Sequence, residues 1–162
     1  MIYHMRRIDK EFSEPESLRK VLRSTEYVTL AMVKDGEPYL VSLSHGYDED
    51  RHCIYFHSAD KGKKLDFMRS NPVVWGQALI DHGYADGECS HRYISVMFKG
   101  KVDFINDIEE KRHAFRVMMN QLEPSPESIM GRLLGSEELS STVVGKISIE
   151  HMTGKKTPGL PI

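Results

Sequence analysis

The dipeptide Asp35-Gly36 stands between two runs rich in β-branched and aromatic residues, Tyr27–Val33 and Tyr39–His45. Both central positions of a two-residue hairpin turn need positive φ, which Asp-Gly tolerates, so this pair commits the chain to an antiparallel hairpin. In the return run Tyr39, Val41 and Leu43 alternate with Leu40, Ser42 and Ser44, the period of a strand with one buried face. A polar turn at Asp48-Glu49-Asp50 then leads to a third strand, Cys53–His57. Three short strands joined by tight turns describe a meander.

The rest of the chain adds strands and short helices. Val73–Ile80 reads as a fourth strand. Tyr93–Ile105 is the clearest of all, with Ile94, Val96, Phe98, Val102 and Phe104 on one face and Lys99, Lys101 and Asp103 on the other. Val143–Ile149 alternates as a last strand before Gly154-Lys155-Lys156, a tail expected to end in solvent, with contact to a cofactor as the alternative. Helical spacing occurs over Ser13–Arg23, where Ser13 and Glu16 form a capping box. It recurs over Ser58–Ser70, ended by Asn71-Pro72, and over Asp107–Leu122, which turns Phe115, Met118, Met119 and Leu122 inward. A weaker helix spans Glu127–Leu134, and Asp81–His91 reads as an exposed loop. The order α-βββ-α-ββ-α-α-β predicts a mainly β (α+β) fold, a small antiparallel barrel or strongly curled sheet with helices at its ends.

Size and charge narrow the function. The 162 residues suit a single domain, 1–162 with its core over roughly 5–156, and need no disulfide or metal staple. A net charge of −2 argues against a nucleic-acid surface. The apolar runs are far too short to span a membrane, the N-terminus lacks a signal-peptide pattern, and the two cysteines, Cys53 and Cys89, suit a reducing cytoplasm. Among the eight histidines, His82 and His91 share a loop with Asp81, Asp86, Glu88 and Cys89, but in no spacing that zinc uses, so no metal site is expected.

The pointed segment is His57-Ser58-Ala59-Asp60-Lys61-Gly62-Lys63-Lys64. Lysines at the amino end of a helix oppose its dipole by a few tenths of a kcal/mol or more. An anion there removes the conflict, accepting the free backbone N–H groups and the ammonium charges together, while Gly62 lets the backbone come close. A solvated basic first turn is the plain alternative. No GxxxxGK[ST] loop occurs, which excludes the usual nucleotide triphosphatase arrangement.

An ordered set of pieces runs through Pro38-Tyr39-Leu40-Val41-Ser42-Leu43-Ser44, Gly46-Tyr47-Asp48, Tyr55-Phe56-His57-Ser58-Ala59, Gly62-Lys63-Lys64-Leu65-Asp66 and Asn71-Pro72. It continues with Cys89, Tyr93, Ser95-Val96, Gly100-Lys101 and Gly154-Lys155. This set resembles the flavin-binding proteins related to pyridoxamine 5′-phosphate oxidase, in particular their nitroimidazole-resistance subgroup. The resemblance implies an antiparallel split β-barrel with flanking helices, forming a homodimer with FMN at the subunit interface. By position, Lys63 and Lys64 match the family's phosphate-binding pair, and His57 and Ser58 the strand end that holds phosphate and ribityl chain. Leu40, Val41, Ser42 and Leu43 match the strand along the isoalloxazine. Where the oxidase carries Arg near Leu40 this chain has no cation, which points away from pyridoxamine phosphate.

The implied activity is FMN-dependent oxidation or reduction of a small molecule, nitro reduction in particular, with NADH or NADPH as donor. A flavin carries its own reactivity, so no catalytic side chain is assigned. The family also includes haem binders, which leaves a non-enzymatic haem- or flavin-binding sensor as the alternative, with His45 or His57 as the candidate iron ligand. Trp75 and Tyr93 are candidates either to line a flavin or substrate pocket or to pack in the core or a dimer contact.

Overall fold

A computed structural model describes residues 5–135 and 137–162; the start of the charged N-terminal segment, residues 1–4, lies outside them. A 3-10 turn over Ile8–Lys10 precedes strand β1 (Glu11–Phe12) and helix α1 (Pro15–Ser24). The meander follows as β2 (Tyr27–Lys34), β3 (Glu37–Ser44), β4 (Gly46–Asp48) and β5 (Cys53–Ser58). Helix α2 (Lys63–Ser70) leads to the long hairpin β6 (Val73–Ala85) and β7 (Ser90–Ile105). Helices α3 (Ile108–Leu122), α4 (Glu127–Leu133) and α5 (Glu137–Ser141) come before the last strand, β8 (Val143–Lys156).

One antiparallel sheet carries the order β3-β2-β6-β7-β8-β5-β4, with β1 added to the far end of β8. It curls without closing, as expected of a split barrel, and leaves β3 and β4 at its two ends. The Asp-Gly turn falls where the sequence puts it: Asp35 has φ 51° and Gly36 φ 81°, and β2 pairs with β3 from Tyr27↔Ser44 to Lys34↔Glu37. The main core fills the curl with Leu22, Leu30, Ile54, Phe56, Val96, Phe98 and Ile147, all fully buried. Side chains of this size each contribute roughly 1.5–3 kcal/mol on burial. A second cluster under α3 gathers Tyr55, Phe115, Met118, Met119 and Val144.

The structure departs from the sequence reading at element ends. Helix α1 is capped by Glu14 instead of Ser13, because its longer carboxylate reaches the N–H groups of Glu16 at 3.2 Å and Ser17 at 2.6 Å. Helix α2 starts at Lys63, five residues later than read, since Gly62 at φ 144° breaks helical geometry. The segment 81–91 is exposed, as read, but it is the outer half of the β6–β7 hairpin, paired at Tyr84↔His91 and Ala85↔Ser90 beyond a bulge. Gly154-Lys155-Lys156 is no tail in solvent. The three residues lie inside β8, paired with Val96, Ser95 and Ile94 of β7, because β8 follows β7 for nearly its full length. The two-residue β1, three-residue β4 and five-residue α5 carry too little periodicity to read from sequence.

Candidate functional site

The segments singled out in the sequence meet at the open edge of the sheet. Among the described residues β3 pairs with β2 alone. The backbone groups along its other edge therefore have no ladder partner, and Leu40, Val41, Ser42 and Leu43 all lie on this edge strand. Their side chains divide as the alternation requires: Leu43 is buried and Val41 half-buried toward the core, while Leu40 is 64% exposed. Ser42 faces outward and shares a 2.9 Å hydrogen bond with Thr29 across the hairpin.

The end of β5 supplies a different pair. His57 points outward and stacks on Phe115, with ring centroids 5.6 Å apart and planes at 28°. Partial burial and then the Lys64 charge lower its pKa, which favours the neutral imidazole. Ser58 turns the other way. Its side chain is buried at 6% exposure, and its Oγ has no hydrogen-bond partner among the described residues. A buried hydroxyl left in this state costs about 1–3 kcal/mol, so such groups are rare outside sites that a ligand completes.

The two lysines open α2, next to this strand end. Lys63 is exposed and bonds Glu37 of β3 at 2.7 Å, with its ammonium 4.9 Å from the Tyr39 ring centroid and 5.3 Å from that of Phe67. That hydrogen bond, and then the charge itself, hold the Glu37 carboxyl below its usual range. Lys64 is half-buried and makes no ion pair among the described residues. The Gly62 carbonyl accepts from the Leu65 and Asp66 N–H groups as α2 begins, and nothing lies within 4 Å of where a Gly62 Cβ would stand. Glu37 and Phe115 lie 26 and 58 residues from their partners Lys63 and His57, so no local pattern in the sequence announces either contact.

These features fit the phosphate and ribityl portions of a flavin. They provide one unpaired buried hydroxyl, one ammonium without a carboxylate, one that can exchange Glu37 for a stronger anion, and a helix amino end. The strand edge of Leu40–Leu43 offers hydrogen-bonding groups to a planar ring. The outer face beside it is apolar: Val33, Leu40, Val73 and Trp75 are each at least 40% exposed and border a groove of about 510 Å³.

The other candidates separate clearly. His45 is fully buried, its Nε2 lies 3.0 Å from the Leu22 carbonyl oxygen, and burial drops its pKa to about 4. No haem face can reach it, so of the two histidines considered as iron ligands only His57 is accessible. Asp81 and His91 form a 2.7 Å pair across the β6–β7 hairpin, and no cluster of three metal-ligating side chains occurs among the described residues. Cys53 is buried, and Cys89 is exposed in the hairpin turn. Trp75 lies on the outer face, while Tyr93 lines a separate cavity further across the sheet. No described helix is long and apolar enough to cross a membrane.

Comparison with known proteins identifies relatives of this fold. Residues 14–156 match the family model described as pyridoxamine 5′-phosphate oxidase. A candidate 5-nitroimidazole antibiotic resistance protein from Bacteroides thetaiotaomicron is 25% identical, with a TM-score of 0.73 over 90% of this chain and 85% of its own. A FAD-binding protein from Mesorhizobium loti is 26% identical, with a TM-score of 0.66 over 91% of this chain and 97% of its own. The flavocytochrome Anf3 from Azotobacter vinelandii, at 18% identity and a TM-score of 0.81 over 99% of this chain and 75% of its own, shares the fold.

Proposed function

The chain belongs to the pyridoxamine 5′-phosphate oxidase family, and from that premise we propose that it is an FMN-dependent oxidoreductase acting on a small molecule. The observation that carries this reading is the buried, unpartnered Oγ of Ser58 at the end of β5, five residues before α2 opens with Lys63 and Lys64. An aliphatic core position would not use serine there, and a purely structural serine would find a partner.

Each residue has a distinct part. Ser58 Oγ donates to a phosphate or ribityl oxygen. Lys64 neutralises the phosphate, and Lys63 joins it by turning away from Glu37. The His57 ring, stacked on Phe115 on the other side of the strand from Ser58 and held toward its neutral form, borders the site without adding a titrating charge near pH 7. The β3 edge at Leu40–Leu43 aligns the ring system, and the apolar wall beside it excludes water. When bound, the flavin supplies the redox chemistry, taking electrons from a donor such as NADH or NADPH and passing them to the substrate. Reduction of a nitro group is the reaction favoured by the likeness to the nitroimidazole-resistance protein, which covers nine-tenths of this chain.

The apolar face of Val33, Leu40, Val73 and Trp75 covers itself best against a second copy of the chain, giving a homodimer with the flavin corner near its rim. The test is an absorption spectrum of the purified chain before and after reconstitution with FMN, followed by anaerobic addition of NADPH. Flavin bands that bleach with the donor support the proposal. A chain that neither retains nor rebinds FMN overturns it, and a Soret band instead of flavin bands selects the haem reading, for which His57 is the accessible ligand.

A further inference from the structure

The hydroxyl that would meet the phosphate is closed off in the free chain. Ser58 alternates with Ile54 and Phe56 along β5, so its side chain turns toward the main core, and its Oγ is out of reach of solvent. A phosphate dianion cannot arrive through that apolar interior. Along the sheet, Val143 of β8 is paired with Ser58. Helix α2 is anchored by Leu65, Phe67 and Met68, all buried. The boundary that remains is the chain leaving β5, residues 59–62.

This stretch is held only at its ends. Residues 59–62 are all exposed, and the Asp60 and Lys61 side chains make no hydrogen bond or ion pair among the described residues. Gly62 closes the loop at φ 144° and ψ 159°, a conformation that residues with a Cβ rarely hold. The next residue is pinned: Lys63 bonds Glu37 at 2.7 Å and lies over the Tyr39 ring. A short exposed segment between a strand end and a single surface contact opens at far lower cost than the packed elements on either side.

We infer that residues 59–62 form a gate over Ser58, hinged at Gly62 and latched by the Lys63–Glu37 pair, which opens to admit the phosphate and closes on it. Opening parts Lys63 from Glu37 and uncovers Ser58 in one movement, so the two phosphate contacts become available together. The gate rests on the reading of this corner as a flavin phosphate site and adds the way in.

Thiol labelling measures the opening without any flavin. The full chain carrying Ser58→Cys and Cys89→Ser is treated with N-ethylmaleimide, and labelling is followed by mass spectrometry at position 58 and at the buried Cys53, whose rate reports unfolding. Labelling at position 58 is expected to be slower than at the exposed Cys89 of the wild-type chain and faster than at Cys53. Glu37→Gln, which removes the latch, should speed it about twofold. Gly62→Ala, which strains the closed form, should speed it about fivefold. Labelling as fast as Cys89 means that no gate exists, and labelling no faster than Cys53 means that Ser58 is reached only by unfolding; either result overturns the inference, as do rates that neither substitution changes. Added FMN should slow labelling at position 58. FMN whose fluorescence is quenched on binding while that labelling is unchanged overturns the gate alone. FMN that the wild-type chain does not quench overturns the flavin reading and, with it, the gate as its entry.

Discussion

Two polar corners of this molecule make opposite use of the same kinds of residue. Between α1, β4 and α3, Gln121 donates to the carbonyl oxygens of Leu22 and Thr25 and accepts from the Tyr47 N–H, while Asp48 receives His113 and the Arg51 N–H. Most buried groups there are answered, with Arg19 Nε and His45 Nδ1 the exceptions. At the β3–β5–α2 corner the buried Ser58 hydroxyl is unanswered, the strand edge is unpaired and the lysines face outward. The first corner holds the fold together, and the second is where we propose that a ligand binds. What sets the second corner apart is an unpaired buried hydroxyl together with an open strand edge and two lysines.

The largest effect should come from breaking the satisfied corner. Gln121→Ala strands the Thr25 carbonyl oxygen and the Tyr47 N–H and takes one of its donors from the Leu22 carbonyl, a loss of about 4 kcal/mol. Chemical denaturation should show that loss, while the refolded fraction binds FMN as before.

Next in size is the pH response of His45. Its pKa falls to about 4 in the folded chain, against an ordinary value near 6.5. The folded state therefore resists protonation that the unfolded state accepts. Its contribution is complete above about pH 6.5 and is lost as pH falls toward 4, a total of about 3 kcal/mol. Unfolding curves between those pH values should display the slope, and His45→Gln should flatten it. Because His45 also contacts Gln121, at 3.2 Å, the two substitutions will not add simply.

At the unsatisfied corner the ordering reverses, with small changes in stability and clear changes in binding. Lys63→Ala with Lys64→Ala should weaken FMN by about thirtyfold, read by fluorescence quenching, because two charge-assisted contacts are lost. Ser58→Ala should weaken it about fivefold and leave the melting temperature unchanged or slightly raised, since it removes a group that has no partner in the free chain. The smallest expected change is a gain: Glu37→Gln releases Lys63 and should tighten FMN by about twofold.

Much of this architecture was legible because it is local. Asp35-Gly36 announces its own turn, and the alternation along β7 shows which face is buried whatever it packs on. The lysines of α2 read either as an anion site or as a solvated basic first turn, and only the family resemblance turned that choice toward flavin. What escaped depends on distant partners. Lys155 reads as the end of the chain until β8 is seen to follow β7 through Lys156. His45 and His57 look alike in sequence, yet one is sealed beneath α1 and the other lies open on Phe115. Nothing near Ser58 in the sequence signals that its hydroxyl will be buried and left without a partner.

The account turns on whether the β3–β5–α2 corner holds a flavin phosphate. FMN titrated against the wild-type chain and against the Ser58→Ala, Lys63→Ala, Lys64→Ala triple variant, with melting temperatures recorded for both, tests this most directly. Saturable binding by the wild type, lost in a variant that melts at the same temperature, is the predicted result. Equal FMN affinity in two well-folded proteins would contradict it.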